Sequence, residues 1–206
     1  MMPIRFAIFA SGTGSNAEAL MKHMSAFPEG RIEFVLSDQR DAAVLSKALK
    51  HGVPSYLLEK VSDRTTHEQE ILKILDRHQV DWILLAGYMR LLSAKFLKEV
   101  GARHNGLAQV VNIHPSLLPQ YPGANSLERA FNDKVLESGV TLHLVDEGMD
   151  TGPIIQQTAL QLHSAESLAD FKSRMHVLEH QVYCDFVTNV LHRKVPTQFY
   201  KEVIEC

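Results

Sequence analysis

The segment Val110-Val111-Asn112-Ile113-His114-Pro115-Ser116-Leu117-Leu118-Pro119 sets an amide and an imidazole at the end of an otherwise apolar run. Strand side chains alternate faces, so Asn112 and His114 share one face while Val111 and Ile113 point to the other. Pro115 then ends the ladder. An amide donor beside an imidazole can hold a polar ligand and exchange a proton with it near neutral pH. Left unpaired in a core, each group would cost roughly 1–3 kcal/mol. The pair is therefore either satisfied by the protein or kept for a ligand, and the simplest structural alternative is a histidine that caps a strand end.

A second stretch with chemical potential is Ser11-Gly12-Thr13-Gly14-Ser15-Asn16-Ala17, which separates the apolar run of residues 3–10 from the helical pattern that begins at Glu18. Backbone N–H groups at a helix start lack intrahelical partners and carry partial positive charge, and glycine lets an anion approach them closely. Ser15 and Asn16 add side-chain donors. The spacing Gly12-x-Gly14-x-x-Ala17 fits the loose dinucleotide pattern, with Asp38 after the next strand as a ribose acceptor. A phosphomonoester site fits equally well, and a glycine turn that only reverses the chain remains the structural alternative.

These residues need a scaffold, and the chain reads as alternating strands and helices. Residues 3–10, 31–37, 53–58 and 81–87 are short apolar runs of the kind buried on both faces of a parallel sheet. Helices are expected at 41–50, 64–78, from Ser93 toward Val100, and at 126–131. Gly52 sits where a helix C-terminus is expected, and Ile71, Leu72 and Leu75 keep helical spacing. Residues 101–108 form a polar connection. Residues 139–145 and a run through Ile154 and Ile155 flank the acidic loop Asp146–Pro153, whose short span makes them antiparallel. His143 lies among apolar neighbours and reads as structural. A helix from about 166 to 190, with Leu168, Phe171, Met175, Leu178, Val182 and Phe186 in phase, closes the chain. The fold class is α/β: a single Rossmann-like domain over 1–206, mostly parallel sheet flanked by helices, with antiparallel strands in the C-terminal part. Ligands are expected at the carboxyl ends of the parallel strands.

Composition is that of an ordinary globular chain, with 45% hydrophobic and 22% charged residues among 206. A net charge of −3 provides no basic field for nucleic acid. The two cysteines, Cys184 and Cys206, argue against a disulfide framework and fit a reducing, cytoplasmic setting. No run is long and apolar enough to span a membrane. The eleven histidines show no metal-ligand spacing such as H-E-x-x-H, so no metal is expected.

With Ser11–Asn16, Met89-Arg90-Leu91-Leu92, the Asn112–Pro119 block and Met149-Asp150-Thr151-Gly152-Pro153 in view, residues 5 to about 190 resemble the phosphoribosylglycinamide formyltransferases, a branch of the folate-dependent formyltransferases. The resemblance implies a catalytic three of Asn112, His114 and Asp150. It implies ribonucleotide binding by Gly12, Thr13, Gly14, Ser15, Asn16 and Glu179. Folate contacts would come from Arg64, Met89, Arg90, Leu91, Leu92, Asn112 and Asp146, with the Asp146–Asp150 loop enclosing the pterin. The co-substrates would be 10-formyltetrahydrofolate and glycinamide ribonucleotide. Leu127 stands where many relatives have histidine, and the 101–108 connection is longer than usual for the family. The sequence leaves oligomeric state open.

In such a reaction the amine attacks the formyl carbon and an oxyanion develops. Asn112 can donate to it, His114 can donate or shuttle a proton, and Asp150 would favour the imidazolium. One alternative is a hydrolase using the same site with water in place of the amine. That family usually carries an extra N-terminal domain, whereas this chain begins at its first strand. Another is a nucleotide-binding module without catalysis, which would leave Asn112, His114 and Asp150 unexplained.

Overall fold

The computed structural model describes residues 3–59, 63–104 and 106–194; Cys206 lies outside them. Seven strands form one sheet in the order β3-β2-β1-β4-β5-β6-β7. They are β1 (Ile4–Phe9), β2 (Gly30–Ser37), β3 (Ser55–Leu57), β4 (Trp82–Leu85), β5 (Val110–His114), β6 (Glu137–Leu144) and β7 (Ile154–Gln161). The first five are parallel, and β6 and β7 are antiparallel to their neighbours. Helices α1 (Ser15–Met24), α2 (Ala43–Lys50), α3 (Arg64–His78), α4 (Ala94–Ala102), α5 (Ser126–Asn132) and α6 (Leu168–Leu191) connect or follow them.

Alternation along each strand divides the core into two layers. Phe6 and Ile8 of β1, Trp82 and Leu84 of β4, and Val111 and Ile113 of β5 join α1, α2, α5 and α6 on one face. Ala7 and Phe9, Ile83 and Leu85, and Val110 join α3 and α4 on the other. Strands buried on both faces have no polar side to show, which explains their unbroken apolar runs. The second face has a different cover beyond Val110. There Asn112 and His114 of β5 and Thr141 and His143 of β6 lie under loops rather than helices.

Strand order reverses between β1 and β4, because the chain builds β2 and β3 on one side and then returns to place β4 on the other. The loops leaving β1 and β4 consequently diverge and open a crevice at the switch point. Several boundaries differ from expectation. The third strand shrinks to 55–57, residues 101–102 finish α4, and the last strand continues to Gln161. β7 is an edge strand, and its Gln157 turns inward, donating to the Leu118 carbonyl at 2.8 Å.

The long helix α6 is fixed to β4 and β5 by Tyr183. Its ring is fully buried, and its hydroxyl lies 3.1 Å from the carbonyl oxygens of both Leu85 and Val111. Tyr183→Phe keeps the ring and removes the donor from two buried carbonyls. It should lower stability by about 1–2 kcal/mol, seen as a lower urea midpoint at unchanged slope.

Candidate active site

The register of β5 against β6 assembles the polar cluster. Asn112 is paired with His143 and His114 with Thr141, so four polar side chains share one patch of sheet. Thr141 Oγ1 donates to the Ser116 carbonyl at 2.6 Å and accepts from Leu118 N–H at 3.0 Å and Gln157 Nε2 at 2.9 Å. Those bonds pin the Pro115–Pro119 segment against β6.

Asp150 arrives from the β6–β7 loop. Asp146 braces this loop by accepting from Gly148 N–H at 3.0 Å and Thr151 Oγ1 at 2.8 Å. At Gly152 an added Cβ would stand 1.9 Å from the Leu144 carbonyl oxygen, a backbone atom, so only glycine fits. Asp150 itself has φ 56°, a left-handed conformation that aspartate tolerates better than most residues. Its side chain is 13% exposed.

The Asp150 carboxylate is the hub. Oδ2 accepts from Gly123 N–H at 2.7 Å and lies 3.3 Å from His114 Nδ1. Oδ1 lies 3.4 Å from Asn112 Nδ2 and 3.6 Å from His143 Nε2. His114 Nε2 donates to the Tyr121 carbonyl at 2.8 Å, which fixes a proton on that nitrogen because a carbonyl only accepts. A proton taken up at Nδ1 would turn its contact with Asp150 into a charge-assisted bond. The same reasoning applies to His143. Its Nδ1 donates to the Leu144 carbonyl at 2.8 Å, leaving the Nε2 lone pair to accept from Asn112 Nδ2 at 3.1 Å.

Burial holds the His114 pKa below its ordinary value, although the Tyr121 carbonyl and the Asp150 charge both pull it upward. For Asp150, burial acts to raise the pKa, but the His143 contact, the Gly123 N–H and the two imidazoles outweigh it, and the carboxyl is held below its usual range. The resting arrangement is an ionised carboxylate against a neutral imidazole able to receive a proton.

The glycine loop ends at Gly14, the N-cap of α1, with φ 69° and no side chain capping the helix. A Cβ there would stand 2.5 Å from Val44 Cγ2, so α2 packs directly on the loop backbone. Glu179 of α6 is 6% exposed and hydrogen-bonded to Asn16, whose Oδ1 is buried without a partner. Ser11, Gly12, Thr13, Gln39 and Met89 line an open cleft of about 460 Å³ beside this loop. Asp38 is 5% exposed and accepts from Ser11 Oγ at 2.6 Å and Gln39 Nε2 at 3.1 Å. Both its oxygens are engaged within the protein, which removes it as a free ribose acceptor.

The loop after β4 forms the opposite wall. Met89 is 73% and Leu91 50% exposed, while Leu92 packs into the core and leaves only its backbone for a ligand. Arg64 Nη2 donates to the Leu91 carbonyl at 2.6 Å and Nε to Glu68 Oε1 at 3.1 Å, so this arginine also supports the loop. Arg90 is half-buried, with Nη1 buried and unpartnered.

The structure thus brings Asn112, His114 and Asp150 together, and separately Asn16 with Glu179 and Arg64 with Leu91. Asp146 does not reach the cluster and acts as a loop brace. His143, read from sequence as structural, turns its ring to Asn112 and Asp150 instead. The only sequence signal for this was its two-residue spacing from Thr141, which gains meaning once the β5–β6 register is known. Leu127, the departure from the family pattern, is 7% exposed in the core. Among the described residues, no cluster of three or more His, Cys, Asp or Glu is placed to hold a metal, and no helix is long and apolar enough to cross a membrane.

Glu179 carries a stability cost that can be measured. Burial raises its pKa to about 7, against the opposing Asn16 bond. A carboxyl raised in this way binds its proton more tightly folded than unfolded. Its contribution is present below the unfolded value and lost as pH rises through about 7. Glu179→Gln should therefore gain, relative to wild type, about 2 kcal/mol more stability at pH 8 than at pH 5, measured by urea unfolding at both.

Comparison with known proteins supplies the family. Residues 4–187 match the formyl transferase family. The chain is 38% identical over 190 residues to phosphoribosylglycinamide formyltransferase of Bacillus subtilis, covering 91% of this chain and 94% of that one. It is 37% identical to the trifunctional purine biosynthetic protein adenosine-3 of Drosophila melanogaster, over 87% of this chain but only 13% of that protein's length. The crystal structure of phosphoribosylglycinamide formyltransferase from Streptococcus pneumoniae superposes with a TM-score of 0.81 at 38% identity, covering 91% of this chain and 98% of that one. With nearly the whole chain matched and the Asn112–His114–Asp150 cluster assembled at a strand-end crevice, the chain belongs to the formyl transferase family, with the phosphoribosylglycinamide formyltransferases.

Proposed function

We propose that this protein transfers the formyl group of 10-formyltetrahydrofolate to the primary amine of glycinamide ribonucleotide, a step of purine biosynthesis. The observation that carries the reading is the Asp150 hub, with a proton-accepting imidazole and an amide donor within 3.4 Å of one carboxylate. The two flanking loops suit two substrates. The uncapped start of α1 fits a phosphate, and Glu179 beside Asn16 fits the polar body of the ribonucleotide. Met89–Leu92 and the Asp146–Asp150 loop fit a flat, partly apolar folate. The internal use of Asp38 favours a monophosphate over a dinucleotide.

In the reaction the amine nitrogen attacks the formyl carbon and the carbonyl oxygen becomes an oxyanion. Asn112 Nδ2 donates to it, a contribution of about 10²–10³ in rate for one such donor. His143 and Asp150 hold that amide by taking its two hydrogens in the resting state, so substrate oxygen replaces one of them. His114 takes the proton released by the amine, and Asp150 stabilises the imidazolium that results. Collapse of the intermediate breaks the bond to the folate nitrogen, which receives the proton held on His114 as it leaves and so restores the neutral imidazole. Asn112 and the glycine loop position the partners, and such positioning supplies several kcal/mol more.

The decisive assay follows folate product by absorbance with and without the ribonucleotide. Release that requires the ribonucleotide supports transfer, whereas equal release without it would identify a hydrolase. Asp150→Asn should reduce kcat by about 10² or more with both KM values within about threefold, as expected for a transition-state interaction. His114 acts as a base only when neutral, so activity falls as pH drops through its pKa. Burial places that acid limb below the ordinary histidine range, and loss of the Asp150 charge should move it lower still. An acid limb that rises in the Asn variant would refute the assigned role.

A further inference from the structure

One hydroxyl joins the two loops of the crevice. Ser11 Oγ donates to Asp38 Oδ1 at 2.6 Å and accepts from the Met89 backbone N–H at 2.9 Å. A serine hydroxyl has one proton, and an ionised carboxylate only accepts. The Asp38 contact therefore consumes that proton and leaves the oxygen lone pairs for Met89. Asp38 is itself fixed at the end of β2 by Gln39 Nε2 at 3.1 Å. The Ser11 N–H donates to the Gly87 carbonyl at 3.0 Å, so the loops are tied by backbone as well as by side chain. The far end of the same loop is tied independently, where Arg64 reaches Leu91 and Glu68 accepts from Ser93 N–H at 2.8 Å.

We propose that Ser11, oriented by Asp38, is a positioning residue that sets the spacing between the ribonucleotide loop and the folate loop, and with it the approach of amine to formyl carbon. The inference rests on the two-substrate reading above. In this role Ser11 acts through the two loops rather than on a substrate, since its one proton goes to Asp38 and its oxygen accepts from Met89. Met89 forms part of the cleft wall with Gly12 and Thr13, so displacement of its backbone moves one wall against the other. A shift of about 1 Å at reacting atoms can cost about 10² in rate. The loops' own donors, and hence each substrate's affinity, are left largely in place.

The test uses Ser11→Ala, which deletes both bonds, Ser11→Thr, which retains a hydroxyl, and Asp38→Asn. The last removes the charge that directs the hydroxyl proton while conserving volume. Hydrogen exchange at the Met89 amide of the ligand-free protein is read first. It should be slow in wild type and Ser11→Thr and about tenfold or more faster in Ser11→Ala. Steady-state kinetics are read second. Ser11→Ala and Asp38→Asn should lower kcat by about tenfold or more with each KM within about threefold, and Ser11→Thr should restore most of the loss. Unchanged Met89 exchange in Ser11→Ala overturns the strut, and so does a raised KM at wild-type kcat. The exchange measurement needs no substrate. Absence of formyl transfer in the wild type would overturn the functional reading by itself, and an unprotected Met89 amide would overturn the strut whatever the assay gives.

Discussion

A carboxylate held in a mostly buried pocket constrains everything around it. Asp150 is ionised yet its side chain is only 13% exposed, so its charge has to be met by the protein. Gly123 N–H supplies one hydrogen bond and Asn112 a second, while the two neutral imidazoles turn unprotonated nitrogens to it that become donors only on taking up a proton. Removing a single partner from a buried charge is far more damaging than never having buried it. That requirement explains why the surrounding backbone adopts costly conformations. Tyr121 and Asp150, the residues that grip His114 from its two sides, both have positive φ without being glycine. Such conformations persist only where the neighbouring structure fixes them, and here the fixing bonds are those of the cluster itself.

The helices leave room for this cluster. α3 and α4 cover the second face of the sheet only as far as Val110, and the following positions on that face are Asn112 and His114. A helix laid over them would have to bury an amide, two imidazoles and a threonine against apolar side chains. The loops that replace it bring backbone carbonyls and N–H groups, which are the partners those side chains need. Thr141 illustrates the economy of the arrangement, since one hydroxyl satisfies a carbonyl, an N–H and a glutamine amide at once.

Most of the fold was legible because strands buried on both faces show unbroken apolar runs, and because glycines mark the loops at Gly14 and Gly52. The strand β7 was harder to read. It lies at the sheet edge, where half its residues meet solvent, so Gln156-Gln157-Thr158 resembles a loop although it completes a ladder with β6. In the site, Asn112 and His114 could be paired from spacing alone, since strand periodicity is local. The place of His143 could not, because it depends on which β6 residue faces Asn112, and register between strands is a long-range property. Asp38 was ambiguous for a related reason. An acid at that point suits either a ribose or an internal acceptor, and only the position of Ser11 decides between them.

The polar atoms left unsatisfied extend the same logic to substrate. Asn16 Oδ1 and Arg90 Nη1 are buried without partners, one beside the glycine loop and one behind the loop after β4. A folded protein seldom tolerates such atoms, and each costs about 1–3 kcal/mol. Glu179 adds a carboxyl whose pKa burial pushes up to about 7. On the two-substrate reading proposed above, a polar ligand at the glycine loop would supply the partner that Asn16 Oδ1 lacks. Such relief is available only to ligands that bring matching donors and acceptors, and an apolar molecule of the same size would leave every one of these groups unpaired. On that reading, selectivity would follow from the same burial that lowers the stability of the free protein.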